Sequence, residues 1–197
     1  MVNWGIIGLG NMGAPMAKNL AAADHQVLGY DPAGTTAEGV AVAASAQAAA
    51  TGADVVITML PNGKIAQSVA DQALPVMEKG TVLLDCSTID VAAARSIARR
   101  AEDRGISFLD APVSGGVGGA EAGTLTFMVG GAAESFAALS PLFNIMGRTA
   151  VHCGGAGNGQ AAKICNNMIL GITMIGTCEA FALADKLGLD RQAMFDV

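Results

Sequence analysis

Short runs without polar alternation recur through the first half of the chain: WGIIGL (4–9), QVLGYD (26–31), DVVITML (54–60), TVLLDCS (81–87) and ISFLDAP (106–112). Between them, alanine-rich stretches at 12–23, 45–52, 62–73 and 90–104 carry helical spacing. Strands that are apolar on both sides are covered on both sides, and alternation with helices builds a parallel sheet. Right-handed crossovers then make the sheet doubly wound. The pattern predicts an α/β fold with a mostly parallel sheet.

After Pro112 comes a glycine-dense segment, VSGGVGGAEAGTLTFMVGG (113–131), whose last part, LTFMVGG, reads as a strand. A helix near 132–145 and a strand TAVHC (149–153) follow. From Gly159 the pattern changes to one long helix with apolar residues at helical spacing through Leu187, stopped by Gly188 in a left-handed conformation. Asp190 can cap a further helix, RQAMFDV, which ends after about two turns and is too short to bury a face alone. Two domains are expected: 1–158, and 159–197 as the start of an all-α domain whose remainder is absent from this chain or replaced by a partner chain. The uncovered apolar helices suggest a homo-oligomer.

Composition narrows the class. At 52% hydrophobic and 14% charged residues, with mean hydropathy +0.46, the 197 residues are too apolar for a disordered chain. A net charge of −6 and a pI near 4.7 exclude a nucleic-acid partner, which needs clustered Lys and Arg. Cys86, Cys153, Cys165 and Cys178 form no CxxC pair and sit among apolar neighbours, as reduced core thiols do. With only His25 and His152, no metal site is expected and a Ser-His-Asp triad has few candidates. The N-terminus has no basic segment of the signal-peptide kind, and the longest apolar run, Met168 to Cys178, falls short of the roughly 20 residues of a membrane span. A cytoplasmic protein with no membrane partner is the expectation.

Gly8, Gly10 and Gly13, enclosing Leu9, Asn11 and Met12, form G-x-G-x-x-G between a strand and a helix. In a Rossmann-type dinucleotide unit the first glycine permits the tight turn, the second lets a pyrophosphate approach and the third lets helix and strand pack closely. The phosphates would rest on the helix N-terminus. Asp31, 23 residues after Gly8 at the end of the second strand, is placed to accept from ribose hydroxyls. No Lys or Arg lies between Lys18 and Lys64, and Asp31 would repel a 2′-phosphate, so NAD is favoured over NADP. Leu60 and Pro61 could flank adenine or ribose, and Thr88 offers a hydroxyl on the nicotinamide side. Equally, Pro61 could merely stop a strand, and Ser87 or Thr88 cap the helix at 90–104.

In the second glycine segment, N–H groups at Ser114, Gly115 and Gly116 could converge on a carboxylate, although a flexible linker has similar composition. On the long helix, Lys163 and Asn167 are four residues apart and share a face, with Asn166 about 100° away. A lone lysine usually snorkels to water. Beside an amide and a nucleotide crevice, Lys163 becomes the candidate for taking a substrate hydroxyl proton, and burial would lower its pKa.

These segments, GIIGLGNMGAPMAKNL (5–20), ITMLP (57–61), LLDCSTID (83–90), FLDAPVSGGVGGAEAGTLTFMVGG (108–131) and GNGQAAKICNNMILGITMIGTCEA (157–180), resemble the β-hydroxyacid dehydrogenase family over essentially the whole chain. The resemblance implies NAD-dependent oxidation of a short 3-hydroxy acid, in the reference case 3-hydroxyisobutyrate to methylmalonate semialdehyde. It assigns Lys163 as the catalytic lysine and Asn167, with Thr88 and the carboxylate loop Ser114, Gly115 and Gly116, to substrate. Gly8, Leu9, Gly10, Asn11, Met12, Gly13, Asp31, Leu60, Pro61 and Thr88 fall to the cofactor. Ile65 departs from the family's asparagine at that position. So does the length: members continue for roughly another hundred residues, a helical half-domain closing the substrate pocket. Without it, NAD binding with poor turnover is expected. Alternatives are a tartronate semialdehyde, glyoxylate or succinic semialdehyde reductase of the same family and a non-catalytic NAD-binding protein. A phosphogluconate-type decarboxylase would want more basic residues, and retention of Lys163 disfavours an imine reductase.

Overall fold

The structure, a computed structural model, describes residues 2–197. It divides into two compact units, one ending at Lys163 and the other running Ile164–Val197.

The first unit opens with β1 (Asn3–Ile7), α1 (Gly13–Ala22), β2 (Gln26–Tyr30), β3 (Ala41–Val42), α2 (Ala46–Ala50), β4 (Val55–Thr58), α3 (Gly63–Ala73), β5 (Val82–Asp85), α4 (Val91–Glu102) and β6 (Ser107–Asp110). Strands run parallel in the order β3-β2-β1-β4-β5-β6. Successive side chains of a strand point to opposite faces, and the core divides accordingly. Trp4, Ile6, Ile57, Leu84 and Leu109 pack with α1 on one side. Ile7, Val56, Leu83 and Phe108 pack under α2, α3 and α4 on the other. Both faces are therefore covered, as the unalternating strands predict.

The sheet departs from parallel after β6. It continues through β7 (Val113–Ser114), α5 (Gly116–Glu121), β8 (Leu125–Gly131), α6 (Ala133–Met146) and β9 (Gly147–His152). β8 is antiparallel to β6 and to β7, and β9 is parallel to β8. The doubly wound, mostly parallel reading holds, while β3, β7 and α5 were not foreseen. α5 forms inside the glycine-dense segment because Ala120 buries completely against the α1 side of the core.

The helix α7 (Asn158–Leu187) starts in the first unit, and the second consists of its remainder and α8 (Arg191–Asp196). Gly188 has φ +71°, and the Asp190 carboxylate accepts from the Ala193 N–H at 3.0 Å, as expected for a stop followed by a capped start. Ile169, Ile172 and Ile175 are each more than 60% exposed. Two expectations change here. Cys165 and Cys178 are exposed rather than core thiols. α7 also contains an 18-residue window of mean hydropathy 1.5, so by length and composition it could cross a membrane, a property that the 11-residue run concealed. The window is apolar because small and aliphatic residues fill every side of the helix, which serves a protein-covered helix equally well.

Candidate active site

One rung of the sheet organises the candidate residues. Tyr30, Ile7, Thr58, Asp85 and Asp110 are successive partners across β2, β1, β4, β5 and β6. The glycine turn, Asp31, Leu60 and Thr88 all lie just beyond that rung, at the carboxyl ends of parallel strands, where ligands bind in open α/β sheets.

The three glycines meet three different steric demands. Gly8 has φ +99°, and a Cβ there would lie 2.3 Å from the Met59 carbonyl oxygen. A Cβ on Gly13 would lie 1.9 Å from the Gly8 carbonyl oxygen, so α1 packs against the turn with no room for a side chain. Gly10, in contrast, is exposed and a Cβ would meet nothing within 4 Å. What Gly10 leaves open is the approach from outside. No side chain caps α1, as none caps α5 or α6, whereas Ser45, Asn62, Asp90 and Asp190 cap α2, α3, α4 and α8. An uncapped helix start behind a glycine turn leaves N–H groups and the positive dipole end for an anion.

Asp31 fastens this turn. Its carboxylate accepts from the Leu9 and Ala33 N–H groups, both at 2.8 Å, and each oxygen keeps a second lone pair. The Leu9 side chain is buried and its amide committed to Asp31, whereas Asn11 is exposed and Met12 half-buried. Beside the turn a cavity of about 560 Å³ is lined by Tyr30, Pro32, Leu60, Asn62, Lys64 and Ile65, among others. It is apolar enough for an adenosine. The opened turn, the bare helix start and this cavity together fit a dinucleotide.

Past β5, Asp90 caps α4, accepting from Ala93 N–H at 2.8 Å, so neither Ser87 nor Thr88 is the cap. Instead Ser87 is buried, and its Oγ accepts from the Leu60 N–H at 2.8 Å, tying the β4 loop to the β5 loop. Thr88 is exposed. Below them Asp85 is 1% exposed; its Oδ1 accepts from the Thr58 hydroxyl at 2.8 Å and the Ser87 N–H at 3.1 Å, while Oδ2 has no partner among the described residues. Burial pushes its pKa up to about 6 against the hydrogen bonds from Ser87 and Thr58, and neighbouring Asp110 adds to the rise.

Ser114 is half-buried at the end of β7, with Gly115 (φ +133°) and Gly116 (φ +63°) exposed after it. Both glycines hold conformations that other residues rarely adopt, so this turn is shaped rather than loose.

α7 is anchored at its start by Asp110, which is fully buried. Its carboxylate accepts from the Gly157 N–H at 2.7 Å and the Gln160 N–H at 2.9 Å, the place where a helix dipole favours an anion. Burial still raises its pKa, against the hydrogen bonds from Gly157 and Gln160. Three residues after Gln160, Lys163 is half-buried, and no hydrogen bond or ion pair engages it among the described residues. Desolvation alone lowers its pKa below the ordinary lysine value. In the second unit Asn167 is exposed and accepts from the Asn166 side chain at 3.3 Å.

Sequence reasoning singled out no role for Asp85, Asp110 or Gln160. Asp85 and Asp110 are polar residues in apolar runs, which is a signal, but the partners that give all three their place lie 27 to 73 positions away.

Residues 3–155 match the NAD binding domain of 6-phosphogluconate dehydrogenase, and residues 157–197 match the NAD-binding segment of NADP-dependent 3-hydroxyisobutyrate dehydrogenase. A probable 3-hydroxyisobutyrate dehydrogenase of Mycobacterium tuberculosis is 50% identical over 202 residues, covering 100% of this chain and 69% of the relative. An NAD-dependent L-serine dehydrogenase of Pseudomonas aeruginosa is 47% identical, covering 97% of this chain and 67% of its own length. The solved M. tuberculosis 3-hydroxyisobutyrate dehydrogenase with L-serine superposes with a TM-score of 0.96 at 49% identity, over 100% of this chain and 69% of that one.

Proposed function

Since the chain belongs to the β-hydroxyacid dehydrogenase family of NAD-dependent oxidoreductases, we propose that it oxidises the hydroxyl of a short 3-hydroxy acid, 3-hydroxyisobutyrate to methylmalonate semialdehyde, with Lys163 as proton acceptor. The observation that supports this most is an amine, half-buried and unpaired among the described residues, on a helix pinned to the strand edge that carries the glycine turn. In this reading residues 1–158 form the NAD-binding domain, and 159–197 belong to a helical domain for substrate and self-association.

NAD supplies the hydride acceptor when bound. Gly8 to Gly13 and Asp31 would hold it, Leu60 and Pro61 would flank its adenosine, and Thr88 would offer its hydroxyl on the nicotinamide side. The N–H groups of Ser114, Gly115 and Gly116 hold the substrate carboxylate, and Asn167 the hydroxyl end. Lys163 accepts the hydroxyl proton, which requires its neutral form; the same amine, if protonated, would instead stabilise the developing alkoxide.

L-serine is a second reading, because it too is a 3-hydroxy acid and a relative at 47% identity is named for it. Initial rates with 3-hydroxyisobutyrate, L-serine, glycerate and 4-hydroxybutyrate, each with NAD and NADP, test both. The highest kcat/KM is expected for 3-hydroxyisobutyrate with NAD. A preference for L-serine selects the second reading, and no oxidation of any of them removes both.

A further inference from the structure

Gln160 has no exposed surface, and both ends of its side chain are hydrogen-bonded to the loop beyond β5. Nε2 donates to the Ser87 carbonyl at 2.8 Å, and Oε1 accepts from the Ile89 N–H at 3.1 Å. Those two groups belong to the peptide units immediately before and after Thr88. One side-chain amide thus holds the backbone on both sides of Thr88, as a neighbouring strand would, and leaves the Thr88 side chain outside the clamp and exposed. Ser87 in turn accepts from Leu60, so the clamp reaches the loop beside the adenosine cavity.

The other end of the same residue is fixed as firmly. The Gln160 N–H donates to Asp110 at 2.9 Å, and α7 begins so close to β6 that a Cβ on Gly159 would lie 2.4 Å from the Asp110 carbonyl oxygen. Gln160 precedes Lys163 by three positions, which makes them neighbours on one helix surface.

We propose that Gln160 is a positioning residue that fixes the Thr88 hydroxyl relative to the Lys163 amine. The proposal rests on the reading of Lys163 as proton acceptor. The residue type follows from the task. Only an amide offers one donor and one acceptor at this reach; a glutamate offers no donor when ionised, and a methionine of similar length leaves a buried carbonyl and a buried N–H unpaired. The consequence is that Thr88 cannot drift from the lysine helix without breaking two buried hydrogen bonds.

The test is a double-mutant cycle in the full chain with Gln160→Met and Thr88→Val, read by kcat, calorimetric NAD affinity and amide hydrogen exchange at Ile89. In Gln160→Met, exchange at Ile89 should rise at least about tenfold while β1 and β4 stay protected. NAD affinity should stay within about threefold while kcat per NAD-binding site falls about 100-fold, the scale of a misplacement near 1 Å. Adding Thr88→Val should slow Gln160→Met little further, because the two act through one contact. Multiplicative losses in the double variant, unchanged exchange at Ile89, or a loss that vanishes once rates are divided by NAD-binding sites would each overturn the proposal. A wild-type chain inactive on every short hydroxy acid would sink the proposed function instead, and the exchange result would still decide whether the clamp exists.

Discussion

Lys163 can take a proton only when neutral, and its half-buried setting, with no carboxylate bound to it, makes neutrality cheaper than in water. Lys163→Met should therefore lower kcat by about 10²- to 10⁴-fold, the usual contribution of a positioned acid or base, while calorimetric NAD affinity stays near wild type. Equal loss of both would mean that the lysine serves binding. Asp85 makes a separate prediction about stability. Its pKa of about 6 in the fold exceeds the ordinary 3.8, so it contributes most below pH 3.8 and that contribution is lost as pH rises through about 6. Asp85→Asn, which stays neutral, should gain on wild type by roughly 2 kcal/mol in denaturant-unfolding free energy between pH 4 and pH 7, from about 1.36 kcal/mol per pKa unit with the part below pH 4 left out. A difference independent of pH would show that Asp85 is not strained by its charge. Lys163 was legible in the sequence because a lysine in an apolar helix stands out within one turn. Asp85, Asp110 and Gln160 were not, because what gives each its meaning is a partner brought near only by the folded sheet.

The first βα unit separates two effects of glycine. At Gly13 an added Cβ would drive into the Gly8 carbonyl, and at Gly10 it would meet only open space. Gly13→Ala should destabilise the fold by about 1–3 kcal/mol, as overpacking does, and weaken NAD as a result. Gly10→Ala should leave the melting temperature within about 2 °C of wild type, since a change under about 0.5 kcal/mol moves it little, yet weaken NAD at least tenfold by blocking the pyrophosphate. Thermal melts and titration calorimetry on the two variants check this, and equal melting temperatures would contradict the packing role of Gly13. This unit was legible because its signals are local: a strand, a turn and a helix within 20 residues. The segment after Pro112 was less so. α5 and β7 arise where glycine lowers every propensity, and what stabilises them is Ala120 under the core and the pairing of Val113 with Phe127.

Across the molecule, the parallel strands bring five loops to one edge, and charge on that edge is expected to set the preference between NAD and NADP. Asp31 carries the only carboxylate bonded to the glycine turn among the described residues, and it would face a 2′-phosphate. Asp31→Asn keeps one acceptor oxygen and removes the charge, so its kcat/KM for NADP relative to NAD should rise about tenfold or more, corresponding to ~1.4 kcal/mol per decade. An unchanged ratio would locate cofactor choice elsewhere, Lys64 in the cavity wall being the cation to suspect. The strand–helix alternation made the sheet and its ligand edge legible, whereas the exposure of α7 was not, because an apolar helix reads the same whether its cover belongs to the same unit or not.

The proton-acceptor role is tested most directly by the pH dependence of kcat for oxidation of 3-hydroxyisobutyrate with saturating NAD. Below the pKa of Lys163 the amine is charged and cannot accept a proton, so kcat should rise about tenfold per pH unit and level off through one ionisation lying under 10.5. A profile that stays flat across that range would contradict it.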